Sequence, residues 1–523
     1  MIKSKKNLII IISLVVALLV MGGILTVILI NNCKANKIPG EYADLYDALQ
    51  NAETGDTVYM TENLSCNREV FVNKSIAIDL GGKVLKSIED FEIGEGATLT
   101  LTNGTVKPTK EFVVKGNLVV GKGAEIVFGE NCLFGTLGSK VKIDGGRISS
   151  VNQTIETQGD FEMTSGNVNR ITVYGNLLIS GGYVDSCSNY GEGVITGGSF
   201  GSTNISDPLR NYGALLKIEG SQSQPIQITS NAEGLYTSKG SKTTIKNANI
   251  DSTVNDISAL GAIDVEGLIL HGVTVLGGES HFKNCTITSW ENAESAISNQ
   301  SEKLILENCT VTGNTYGVTN FAGGKLVVKQ SEITADAWAI VNNSMTDDIG
   351  NFLQGVVEIE SGFVAGIENK TDSKLFVKGG VISHYQDQEL AIRSYSNSSN
   401  TEIVISGGSI QGSILCTKGK VVVSGGTIKG EGDFYGICSS GADLEVSGGT
   451  IEGKWAIIVY SNGKTTLSGG IFKGGAMIER MYFDPTYATV LSDLLADGCR
   501  FESEQDINTL LNYTEANFSI VWQ

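Results

Sequence analysis

The sequence is poor in the residues that most chemistry needs. Only 3 histidines and 5 prolines occur in 523 residues, and aromatic residues make up 7%. So little proline excludes a collagen-like chain or a Pro/Gly linker, although 65 residues are glycine, well above the usual ~7%. The three histidines, His271, His281 and His384, have no partners at metal-ligand spacing, and no C-x-x-C occurs. No metal site and no cofactor is therefore expected. Positive charge is also scarce. The chain holds 38 basic and 57 acidic residues, and five of the lysines fall in the first 37 residues, which contain no acid. Residues 38–523 thus carry 33 basic against 57 acidic groups, a net charge of −24. Such a body repels nucleic acid and other polyanions.

One long uncharged run is present. Lys3, Lys5 and Lys6 precede Leu8–Ile30, 23 residues without a charge. That run exceeds the ~7–15 residues of a signal-peptide core and is long enough to span a bilayer. No A-x-A cleavage site follows, and Asn32 before Cys33 does not suit lipidation. The expectation is an uncleaved signal-anchor in the cytoplasmic membrane through residues 8–30, with a cytoplasmic Lys tail and residues 38–523 extracellular.

The rest is repetitive. VVVSGGTIKG (421–430), LEVSGGTIEG (444–453) and TTLSGGIFKG (465–474) share the five-residue slot S-G-G-x-[I/V/F]. The slot recurs upstream as LGGKV (80–84), TNGTV (102–106), DGGRI (144–148), SGGYV (180–184), KNCTI (283–287), ENCTV (307–311) and others, 17 copies at a common step near 22. Its second residue is most often Gly or Asn, the residues that accept positive φ at least cost. Alternating apolar residues precede it and a β-branched one follows. A second signature, as in YGV (316–318), WAI (338–340) and YGI (435–437), supplies a third strand. Three short strands and three turns per step make one coil of a parallel β-helix, about 18–20 coils at ~4.8 Å each. A step of 50 residues after TGGSF (196–200) hides two coils, whereas the step of 37 before KNCTI cannot be phased.

Amphipathic stretches at 42–52 and at Val490, Leu491, Leu494 and Leu495, the latter closed by Gly498, suggest helical caps at both ends. The string DALQNAETGDTVYM (47–60) with IAIDLGGKV (76–84) resembles the entry to pectate-lyase-like right-handed β-helix proteins. The SGGTI coils and LLADGCRF (494–501) resemble β-helix surface proteins of Gram-positive bacteria. The resemblance implies the right-handed winding and a surface role. The expected fold is all-β: a single right-handed parallel β-helix solenoid over 76–480, with caps at 38–75 and 481–523, preceded by one transmembrane helix within residues 1–37.

The nine cysteines are read as free thiols in ladders, with Cys285 and Cys309 coil-equivalent and Cys416 and Cys438 likewise. Insertions at 201–230, 342–354 and 383–400 are where a solenoid carries a binding surface. The last holds His384, Tyr385, Asp387, Arg393 and Tyr395. Aromatics beside a carboxylate and an arginine suit a neutral glycan. Trp338 and Trp455 share a coil position with Tyr316 and Tyr435 and are expected to stack in the interior. No catalytic set stands out. The function expected is a membrane-anchored extracellular rod for adhesion, glycan or host/cell-surface protein binding, or envelope structure. The alternative is a polysaccharide lyase or glycoside hydrolase using the 342–400 loops, with Asp347, Asp348 and Arg393 as candidates. Hydrolases of the polygalacturonase type would pair an Asp dyad with a Gly-His-Gly, for which the chain offers only Asp347-Asp348 and Leu270-His271-Gly272, several coils apart.

Overall fold

The computed structural model describes residues 36–87, 89–130, 132–150, 154–202, 207–346, 349–384, 389–460, 463–479, 490–503, 506–510, 512–513 and 517–522. Residues 8–30, the expected anchor, and Cys33 lie outside the described residues. Among the described residues no helix is long and apolar enough to cross a membrane. The chain divides into two compact units, 1–153 and 154–523. Each is a parallel β-solenoid, wound in the right-handed sense.

In the first unit parallel pairing begins earlier than the first slot. Asn36–Ile38 pairs with Thr57–Met60, and Thr57–Met60 pairs in turn with Ile76–Asp79 one coil on. A helix, Leu45–Asn51, is inserted in the first coil. Asp44 starts it by accepting the Asp47 N–H at 2.8 Å, and its Leu45 and Ala48 are buried. Phe91 and Phe112, in register on successive coils, stack at 4.5 Å in the core.

In the second unit each coil contributes a strand to three sheets, as in Lys303–Glu307, Thr310–Gly313 and Tyr316–Asn320. Each strand pairs in register with its equivalents one coil away, for instance Leu304 with Leu326 and Val311 with Ile333. The step of 50 is two coils, since Glu192–Ile195, Leu215–Glu219 and Lys242–Lys246 are successive strands of one sheet. Most of 201–230 is therefore coil and not insertion. The step of 37 is also two coils, through Ala262–Glu266, and the missed slot is Glu266-Gly267, with Gly267 at φ 71°. A short coil of 17 residues, Ala262–Gly278, breaks the spacing there. The 342–354 insertion holds an antiparallel pair, Met345–Thr346 with Phe352–Leu353.

The slot needs one correction. Positive φ falls on its second residue where that is Asn, as at Asn284 and Asn308, but on the third in the S-G-G coils, as at Gly426 (φ 81°). The first glycine there serves a different end. A Cβ on Gly425 would lie 2.5 Å from the Ser406 carbonyl oxygen of the preceding coil. One glycine turns the chain and the other lets coils approach.

A polar ladder runs through this core. Asn299, Asn320, Asn342 and Asn369 are fully buried and in register. Nδ2 of each of the first three donates to Oδ1 of the next, at 2.6, 2.8 and 2.8 Å. Asn320 Nδ2 also reaches the carbonyls of Gly324 (2.9 Å) and Val356 (3.2 Å), so the ladder ties side chains to backbone groups at the corner, where the Gly324 carbonyl also accepts the Val356 N–H at 3.0 Å.

The stripe from Val490 forms no α-helix. It is a single 3₁₀ turn, Leu491–Leu494, between extended residues. Leu495 bridges Leu467 and the Ala496 N–H donates to the Leu467 carbonyl at 2.9 Å, so strand-type bonds to the last coil displace a short helix. The edge strand Ile471–Glu479 is met by Asn517–Trp522 running antiparallel, with Phe472 and Phe518 stacked at 4.7 Å.

Candidate functional site

The cysteines come first because they bear on chemistry. Cys66, Cys187, Cys285, Cys309, Cys416, Cys438 and Cys499 are buried and Cys132 is half-buried; Cys66, Cys187, Cys285, Cys309, Cys416 and Cys499 are free thiols. Cys285 and Cys309 are coil-equivalent, as the Thr286–Thr310 register requires. Cys416 and Cys438 are not: Cys416 is in register with Ser439 and Cys438 with Leu415, one residue out of phase. Burial pushes the Cys187 thiol up to about 12, which makes it inert at neutral pH.

Of the 383–400 candidates, Tyr385 and Asp387 lie outside the described residues, as do Asp347 and Asp348. Arg393 and Tyr395 are brought together. Arg393 sits on the strand Leu390–Ser394, with its guanidinium 4.6 Å from the Trp338 ring centroid and 5.1 Å from that of Tyr395. Nη2 donates to Glu368 Oε1 at 2.5 Å, and Lys370 reaches the other oxygen of that carboxylate at 3.3 Å. Arg393 is thus held between two rings and an acid, which leaves it no freedom to act as a base. Trp338 is 6% exposed and works as its inner support. Trp338 and Tyr316 are in register, as are Trp455 and Tyr435. Tyr395, 55% exposed, presents its outer side to water on this rigid backing. His384 is directed elsewhere, with Nε2 3.2 Å from Glu431.

A second aromatic group was not anticipated. Tyr174, Tyr190 and Tyr212 stack on successive coils with centroids 4.8 and 4.7 Å apart, and Tyr236 joins at 5.7 Å. The first three are 45, 42 and 36% exposed. A glycine follows each: a Cβ on Gly191 would lie 2.0 Å from the Gly175 carbonyl oxygen and one on Gly213 2.0 Å from that of Gly191. The recurring Tyr-Gly pairs at 174, 190 and 212 were the available signal. Beside the stack, Arg210 Nε donates to Asp207 at 3.0 Å.

Other places offer less. A depression of about 360 Å³ on the first sheet is lined by Lys217, Glu219, Lys246, Asp264, Glu266 and Lys283. Lys246 pairs with Glu219 at 2.6 Å, Lys242 with Asp264 at 3.5 Å and Lys283 with Glu307 at 3.1 Å, so opposite charges face one another from coil to coil. This is a self-neutralised face. His271, the histidine of the hydrolase-like triplet, has Nδ1 3.5 Å from Asp256. Asp256 is fully buried and joins two coils, accepting the Ser252 hydroxyl at 2.9 Å and the His271 N–H at 2.5 Å. Burial pushes its carboxyl up to about 6. Among the described residues no cluster of three or more His, Cys, Asp or Glu could hold a metal ion.

No family model, curated protein or solved structure matches the chain. The pectate-lyase-like resemblance therefore extends to the parallel coil alone.

Proposed function

We propose that this chain is an exported solenoid, anchored at the membrane through residues 8–30, that binds a neutral glycan or a cell-surface protein in adhesion or envelope architecture. One observation carries the reading: Tyr395 is 55% exposed and seated on an arginine that Trp338 and Glu368 already immobilise. An exposed ring held by a rigid support loses little entropy on binding, which is what a recognition platform requires. The uncharged segment Leu8–Ile30 supports the anchor, and the charge of −24 over residues 38–523 favours uncharged or basic partners.

The test is a screen of the full chain, in detergent, against a glycan array and a panel of cell-surface proteins. Binding that falls at least ~10-fold in Tyr395→Ala, the loss of one good aromatic contact, supports the site. Binding indifferent to that change refutes the site, and silence across both panels refutes a binding role.

A further inference from the structure

The exposed tyrosines occupy one structural position repeated along the second unit. Each follows an inward corner residue of the third sheet, and each corner is stitched to the next by the same backbone bond. The Tyr190 N–H donates to the Val173 carbonyl at 2.8 Å and the Tyr212 N–H to the Asn189 carbonyl at 2.7 Å. The series continues through the Ser238, Leu276 and Lys370 N–H groups to the carbonyls of Asn211, Ala259 and Asn342. Glu368 is in register with Arg393 two residues before the position in question, so Tyr395 is the next member after Lys370. Tyr174, Tyr190, Tyr212 and Tyr395 therefore stand in a single column. The coil registers place Tyr395 eight coils beyond Tyr212, roughly 40 Å at the ordinary strand spacing.

The column between them is almost without charge. It carries Ser238, Leu260, Leu276, Gln300, Phe321 and Asn343, none fully buried, and Leu276 is 38% exposed. Lys370 is its one ion and shares the Glu368 carboxylate with Arg393, while Arg210 pairs with Asp207. The contrast is with the first sheet, whose outward column reads Glu219, Lys246, Glu266, Lys283, Glu307 and Lys329 from coil to coil. One face is laced with ions and one corner is kept clear of them, with aromatic rings at both ends.

We infer that this column is a single binding strip for one extended, uncharged polysaccharide chain lying along the coil axis of residues 154–523, engaged at one end by the Tyr174–Tyr190–Tyr212 stack and at the other by Tyr395. The inference rests on the glycan reading above and adds the ligand's form. The phenol hydroxyls in a row suit the hydroxyls of successive sugar units, and the outer ring faces at the ends of the stack and at Tyr395 suit their C–H patches. Each cation at the strip, Lys370, Arg210 and Arg393, contacts a carboxylate, and the acidic body repels a polyanion. Two platforms eight coils apart reward a polymer that reaches both, because the second contact forms within an already bound chain. A short oligosaccharide gains nothing from the second platform.

The experiment measures binding of the full chain, in detergent, to soluble β-glucan and mannan, each size-fractionated from trisaccharide to polymer, with polygalacturonate as the charged comparison. The expected result is affinity that steps up at least ~10-fold once the chain can span both platforms, with little binding of polygalacturonate. Tyr190→Ala/Tyr212→Ala and Tyr395→Ala should each abolish that step and leave the weak binding of trisaccharide at the remaining platform. Tyr190→Phe, which keeps the stack, should retain most of it and shows that the alanine effect is not misfolding. Affinity independent of length overturns the strip, as does loss on Tyr395→Ala alone with the stack variants silent; in those cases the Tyr395 site still stands. Binding of proteins but no polysaccharide also overturns it. Silence toward every glycan and protein removes both proposals.

Discussion

Removing one rung of the buried asparagine ladder tests whether it holds the coils in register. Asn320 makes four side-chain bonds: it donates to Gly324 O, Val356 O and Asn342 Oδ1, and it accepts from Asn299 Nδ2. In Asn320→Ala all four are lost and two carbonyls and two amide groups of neighbouring coils lose a partner in a dry core. Net worth is about 1 kcal/mol per bond, and leaving a buried group unpaired costs ~1–3 kcal/mol. Asn299 Nδ2 retains the Lys325 carbonyl at 3.4 Å and the Gly324 carbonyl retains the Val356 N–H at 3.0 Å, and the two Nδ2 hydrogens are shared among three acceptors, so the loss comes to about 2–4 kcal/mol. Asn320→Asp should cost at least as much, because it sets a buried carboxylate against Asn342 Oδ1 with no cation near. Long repeat arrays need not unfold in one step. The assay is therefore native-state hydrogen exchange read by mass spectrometry, with urea unfolding alongside. Exchange should quicken in the coils holding Asn299, Asn320 and Asn342 and little elsewhere. Thr310→Ala, at an exposed strand position nearby, should change it by less than about 0.5 kcal/mol. An Asn320→Ala effect below about 1 kcal/mol, or one spread evenly along the chain, would refute the reasoning.

Three further outcomes are expected. Gly425→Ala, whose Cβ meets a backbone oxygen at 2.5 Å, should destabilise more than Gly240→Ala, where φ is +83° but nothing lies within 4 Å; the latter should cost only the ~1–2 kcal/mol of a left-handed alanine, and equal losses in urea unfolding would show that coil approach is not limiting. Asp256 has a carboxyl pushed up from 3.8 to about 6 in the fold, so the folded state holds the proton that the unfolded chain releases; its contribution to stability, about 1–3 kcal/mol, is full below pH 4 and is lost as pH rises through 6. Asp256→Asn should flatten that slope in denaturation midpoints taken from pH 4 to 7, and an unchanged slope would assign it to other groups. Cys187 should resist alkylation at pH 8 in the native chain and react on unfolding; rapid native labelling, located by peptide mass, would contradict its burial.

The sequence by itself determined the coil. The period near 22, the Gly or Asn in each slot and the alternating apolar residues are local demands of a backbone that turns three times per step, and no distant contact is needed to read them. It also placed the Cys285–Cys309 equivalence. What it could not settle were matters of phase between coils. The 17-residue coil at Ala262–Gly278, the offset of Cys416 from Cys438 and the 3₁₀ turn at Leu491–Leu494 each depended on which neighbour a segment hydrogen-bonds to. The asparagine ladder and the tyrosine column belong to the same class: each member is an ordinary residue some twenty positions from the next, and only the stacking of coils places them side by side. Tertiary structure alone decided that Arg393 is held by Glu368 and Trp338, because those partners come from separate coils and a sequence shows charge without showing what neutralises it.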